Sequence, residues 1–120
     1  MNQSPYTFGE AELAALRERV IGGMSPKRFH HTAAVEDMVT RLATLYCPEE
    51  IPALRAAALL HDITQEYDIH TQMLLLTQAG LPPRSGEEFS HKTFHARTAA
   101  LLIPDNYPAF NCETVVSAVR

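Results

Sequence analysis

Apolar residues recur at helical spacing along most of this chain, and helix-breaking or helix-starting residues fall in the gaps between them. Leu13, Leu16, Val20 and Ile21 mark a first helix. Thr7-Phe8-Gly9-Glu10 before it has the form of a capping box, and Gly22-Gly23 closes it. Ser25-Pro26 supplies an N-cap and a first-turn proline for a second helix running to about Tyr46. Its apolar stripe, Val35, Met38, Leu42 and Leu45, is expected to face the core, and His31, four residues before Val35, shares that face. Pro48-Glu49-Glu50 opens a third helix, on which Ile51, Leu54, Ala58 and His61 share a face and Asp62 follows about 100° around the axis. Asp68 caps a fourth helix with Met73, Leu75, Leu76 and Ala79, ended by Gly80 and Pro82. After the longest loop, Ser90, or Ser85 with Glu88, starts a fifth helix bearing His91, His95, Ala99 and Leu102, which Pro104 is expected to end. Asn111 caps a last helix with Val115, Val116 and Val119. With no period-two segment and no repeat, the pattern predicts an all-α bundle of about six helices, one domain over residues 1–120.

Composition narrows this picture. A chain of 120 residues with 46% hydrophobic content builds one packed core and is not globally disordered. The net charge of -4 argues against nonspecific binding to nucleic acid or to an anionic membrane. No run approaches the roughly 18 apolar residues of a membrane span. The polar N-terminus lacks the pattern of a secretory signal. Cys47 and Cys112 form no CxxC pair and read as reduced structural thiols. A cytoplasmic protein is expected.

Candidate chemistry centres on the apolar run Ala56-Ala57-Ala58-Leu59-Leu60, which ends in His61-Asp62. Burying that pair without a partner is costly, and a cation removes the cost. His31, His61-Asp62 and His95, with His91 one turn before His95, are the other imidazoles and the carboxylate that the helical faces bring inward. These donors suit iron, manganese or zinc, and the lack of a ligating cysteine argues against a structural zinc site. Each residue also has an ordinary reading: His31 as a core histidine, His61-Asp62 as a helix-end pair, His91 on a solvated face, and Lys27 and Arg28 as solvated charge. Lys27 and Arg28 lie in the first turn of their helix, where basic residues oppose the dipole. His30 and His70 read as surface residues.

Ser25-Pro26-Lys27-Arg28-Phe29-His30-His31-Thr32, followed by Val35, resembles the opening helix of the YqeK-type members of the HD superfamily of metal-dependent phosphohydrolases. Arg55-Ala56-Ala57-Ala58-Leu59-Leu60-His61-Asp62-Ile63 resembles their second motif, His95 their later histidine, and Val116-Ser117-Ala118-Val119-Arg120 the segment before a further one. The resemblance implies a helical fold around a mono- or dinuclear centre, with His31, His61, Asp62 and His95 as metal ligands. It implies iron or manganese, with zinc, nickel or magnesium as alternatives. The implied activity is symmetrical hydrolysis of diadenosine tetraphosphate, or of a related nucleotide, by a metal-activated hydroxide, with His61 and Asp62 at the catalytic centre. Lys27 and Arg28 are candidates to hold the polyphosphate, and His91 and Gln65 to stand behind the ligands.

Two positions depart from the family pattern. Gln65 stands where the family has lysine, which removes a cation from the phosphate site. The next family histidine and the closing aspartate would lie beyond Arg120, so a C-terminally truncated member is expected. A homodimer that lends a ligand across its interface is one way to complete such a centre. The alternative to a hydrolase is a degenerate HD domain that binds metal or nucleotide as a sensor or interaction module; a purely structural helical domain is the third reading.

Overall fold

The computed structural model describes residue 6 and residues 8–80 and 91–119, with the backbone alone at residues 69 and 91–94. Over these residues the chain is all-α, with helices α1 (Glu10–Gly22), α2 (Pro26–Tyr46), α3 (Ile51–Leu60), α4 (Ile69–Gln78), α5 (His91–Asn106) and α6 (Glu113–Val119). Single 3₁₀ turns at Pro48–Glu50 and Pro108–Phe110 lead into α3 and α6.

Helix α3 is the centre. Ala53, Ala56, Ala57, Leu59 and Leu60 are buried in one core with Leu13, Leu16 and Val20 of α1, Ala99 and Ile103 of α5, and Val115 and Val119 of α6. Alanines let neighbouring helices approach closely, and α3 packs on α1, α2 and α6, most extensively on α2. Ile51 and Leu54, expected on its inward face, are only half-buried.

Ser25 caps α2 as predicted, its Oγ accepting from the Arg28 amide at 3.2 Å, with Pro26 in the first turn. Asp68 caps α4, accepting from the Thr71 amide at 2.8 Å. The cap of α1 lies further along the chain than expected. Gly9 is its N-cap, and the Gly9 amide donates to Glu12 at 2.8 Å; Thr7 lies outside the described residues. The start of α6 also shifts by one residue, because the Cys112 carbonyl, not Asn111, accepts from the Val116 amide at 3.0 Å. Helix α5 does not stop at Pro104 but continues to Asn106. Pro104 is exposed, and fully buried Ile103 beside it anchors this turn in the core. The proposed starts of α5 at Ser85 and Ser90, and Pro82, lie outside the described residues.

Helix α2 departs most from expectation. Its buried residues are Thr32, Glu36 and Ala43. The apolar stripe faces outward, with Met38, Leu42 and Leu45 exposed at 62%, 51% and 74% and Tyr46 beside them. The inward face is polar because its neighbours are. Glu36 accepts from Arg17 of α1 and, at 3.1 Å, from Nε of Arg55 in α3, and Arg55 also reaches Glu10. A buried carboxylate with two guanidinium partners escapes the penalty that would drive it to the surface.

Candidate metal centre

The chain's own hydrogen bonds bring the start of α2 against the end of α3. After Leu60 the backbone makes a run of tight turns, with Gln65 donating to the Asp62 carbonyl at 3.0 Å and Tyr67 to the Thr64 carbonyl at 3.0 Å. Glu66, just beyond, accepts from the Ser25 amide at 2.8 Å and from its hydroxyl at 2.5 Å. These bonds hold the Glu66 carboxyl below the usual range. One carboxylate thus ties the first turn of α2 to the segment carrying His61-Asp62. Helix α5 is tied to the same segment by Thr64, whose buried hydroxyl donates to the His95 carbonyl at 2.7 Å.

Asp62 is the hub. It is 4% exposed, and its two oxygens face different partners. Oδ1 lies 3.2 Å from His95 Nε2 and 3.4 Å from His61 Nε2; Oδ2 lies 3.1 Å from the Arg28 guanidinium and 3.8 Å from His31 Nε2. Burial alone would raise the Asp62 pKa. The hydrogen bond from His95, the charges of His61 and His95, and the Arg28 hydrogen bond together outweigh it and hold the group at about 2.

His31, His61 and Asp62 each place a donor atom within 4.8 Å of the others, a spacing that can hold a metal ion. The His31 and His61 rings are 6.1 Å apart, centroid to centroid. His61 Nδ1 lies 2.5 Å from the Ala58 carbonyl, which can only accept. Nδ1 therefore carries a proton, which leaves Nε2, the nitrogen facing Asp62, as the one that a metal can use. Two imidazole nitrogens and an ionised carboxylate, one ring already oriented by a backbone carbonyl, fit a divalent first-row metal by donor chemistry.

Three of the four ligands expected from the sequence therefore gather, and His95 joins them through Asp62. His31 does so from an exposed position rather than from the core; it lies on the outward stripe of α2, whose N-terminal end is the rim of the site. Arg28 belongs to the site, but as the ion-pair partner of Asp62. Lys27, one residue before, is exposed. Gln65 is half-buried in the turn after Asp62. The His91 side chain lies outside the described residues. His30 and His70 are exposed, as expected. Sequence reasoning missed Glu66, since a surface carboxylate four residues after an aspartate carries no signal of a clamp on a distant N-cap.

Among the described residues no helix is long and apolar enough to cross a membrane. No family model, curated protein or solved structure matches the chain.

Proposed function

We propose that this protein is a metal-dependent phosphohydrolase acting on a nucleotide, with a dinucleoside polyphosphate as its substrate and iron or manganese as its metal. The observation that carries the reading is the convergence of His31, His61 and Asp62 donor atoms within 4.8 Å, with His95 and Arg28 on the same carboxylate. His31, His61 and Asp62 would hold the metal. When bound, it supplies Lewis acidity toward a phosphoryl oxygen and makes hydroxide accessible at neutral pH. Asp62 stays ionised throughout the physiological range. The Ala58 carbonyl holds the His61 Nδ1 side of the ring, leaving Nε2 as the nitrogen for the metal. Arg28, at the rim, offers guanidinium N–H groups to a phosphate, and exposed Lys27 adds a mobile charge beside it. Hydrolysis adds the oxygen of water to one phosphorus and breaks the P–O bond of the phosphoanhydride, the leaving group departing as a nucleoside diphosphate anion and the proton of the water passing to solvent. The test is turnover of diadenosine tetraphosphate and a nucleotide panel by protein loaded with iron or manganese. Hydrolysis that disappears in His61→Ala and Asp62→Asn is expected; no turnover with any metal refutes the reading.

A second reading is favoured by the Arg28–Asp62 ion pair. A guanidinium 3.1 Å from Oδ2 already neutralises the one carboxylate of the cluster, and Gln65 adds no cation for a transition state. A domain that binds metal or nucleotide without chemistry would show a ligand-induced rise in melting temperature and no hydrolysis. Any turnover lost with Asp62 excludes it.

A further inference from the structure

Four of the large hydrophobic residues exposed on this protein lie on one helix: Met38, Leu42, Leu45 and Tyr46 of α2. With half-buried Val35 and with His31, the stripe Val35-Met38-Leu42-Leu45 occupies an arc of about 80° at 100° per residue. Its spacing of three, four, three is the a/d repeat of a helix that packs lengthwise on another helix. The four side chains from Met38 to Tyr46 expose about 500 Å² together, at the upper end of apolar patches on monomeric proteins.

We infer that this stripe is the interface of an antiparallel two-fold dimer, α2 against α2 of a second copy. The pattern is its own complement. The apolar positions are symmetric about Thr40, so reversing the helix places Met38 against Leu42 and Val35 against Leu45, and the two-fold makes each contact twice. The charges beside the stripe match in the same register. Asp37 and Arg41, paired with each other at 3.1 Å and both exposed, flank one side of it. In the antiparallel arrangement Arg41 comes within two residues' rise, about 3 Å along the axis, of the second copy's Asp37 level, so the two pairs form a four-charge rim. Two such patches brought together cover about 1,000 Å² of surface in total, the lower bound of a specific interface. In this register His31 lies level with a point three residues past the second copy's Tyr46, beyond the end of the paired helices, so the contact leaves the metal centre outside the interface.

The experiment is sedimentation equilibrium of the full chain, metal-free and metal-loaded, across the micromolar range. Wild type is expected at twice the chain mass. Leu42→Glu, at an already exposed position, is expected to be monomeric with unchanged helical circular dichroism. Arg41→Asp should weaken association at least tenfold, and the swap Asp37→Arg with Arg41→Asp should restore it. A wild-type monomer overturns the proposal, as does a dimer that persists in Leu42→Glu, which places the contact elsewhere. Neither outcome bears on hydrolysis, so the surface and the chemistry stand or fall separately.

Discussion

Asp62 makes acid the sharpest probe of how the site is held together. In the metal-free protein its carboxyl titrates at about 2 against an ordinary value of 3.8. The folded state therefore binds the carboxylate form preferentially, so the stabilisation is fully present above pH 4 and is lost as pH falls through about 2. At about 1.4 kcal/mol per pH unit the difference is worth about 2 kcal/mol. Glu66 and Asp68, both lowered by hydrogen bonds to the caps they make, also lose stability in acid. Those losses occur equally in an Asp62→Asn variant and cancel in the comparison. Urea unfolding of both proteins, with a chelator present, at points between pH 5 and pH 2 isolates the Asp62 contribution. The wild-type free energy should fall by about 2 kcal/mol more than that of Asp62→Asn, with the divergence below pH 4. A difference that stays flat across that interval means that His95, His61 and Arg28 do not hold the carboxylate, and the hub account fails.

Further predictions address the neighbours of Asp62 and the core. Arg28→Ala removes the cation competing for Oδ2, so metal should bind about tenfold more tightly by calorimetry; if Arg28 also holds phosphate, the same variant loses turnover while gaining metal. Equal or weaker metal binding would mean that the ion pair positions Asp62 rather than masking it. Leu60→Ala, fully buried beside the site, should cost about 2–5 kcal/mol of unfolding free energy, and a loss below 1 kcal/mol would deny its place in the core. Glu36→Ala strips Arg17 of its carboxylate partner and leaves Arg55 with Glu10 alone, and should cost about 2–3 kcal/mol, less than a fully buried pair because Arg17 keeps contact with water. A neutral result in thermal or chemical unfolding would assign that network to the surface.

The helices were legible in the sequence because their boundaries are local chemistry. Ser25-Pro26 and Asp68 cap through hydrogen bonds that span three residues, and Gly22-Gly23 ends a helix without outside help. The orientation of α2 was not legible. Periodicity shows that Val35, Met38, Leu42 and Leu45 share a face; it does not say which neighbour that face meets. The answer depended on Arg17 and Arg55, both 19 residues from Glu36 in sequence, which give a polar face a reason to be inside. Pro104 misled for a related reason, since a proline in the last turn forfeits one hydrogen bond while Ile103 keeps the turn docked. At the site, His31, His61 and Asp62 could be read as a set from the two motifs that carry the family resemblance, whereas helical spacing placed His31 on a stripe that turns outward. Arg28 on Asp62 and Glu66 on Ser25 could not, since each joins residues 34 or 41 apart through side chains that sequence treats as surface charge.

The Glu66 clamp has a consequence for how the site is made. It closes the chain from residue 25 to residue 66 into a helical hairpin whose two arms, α2 and α3, share the most extensive packing in the molecule. His31, His61 and Asp62 all lie inside that hairpin, whereas His95 arrives with α5. Short-range hairpins form before distant helices dock, because little loop entropy is lost in closing them. The three-donor cluster is therefore expected to exist in the folding transition state, and divalent metal should accelerate refolding rather than only slow unfolding. Stopped-flow refolding with and without metal reads this directly: an effect confined to the unfolding limb would mean that the cluster assembles last.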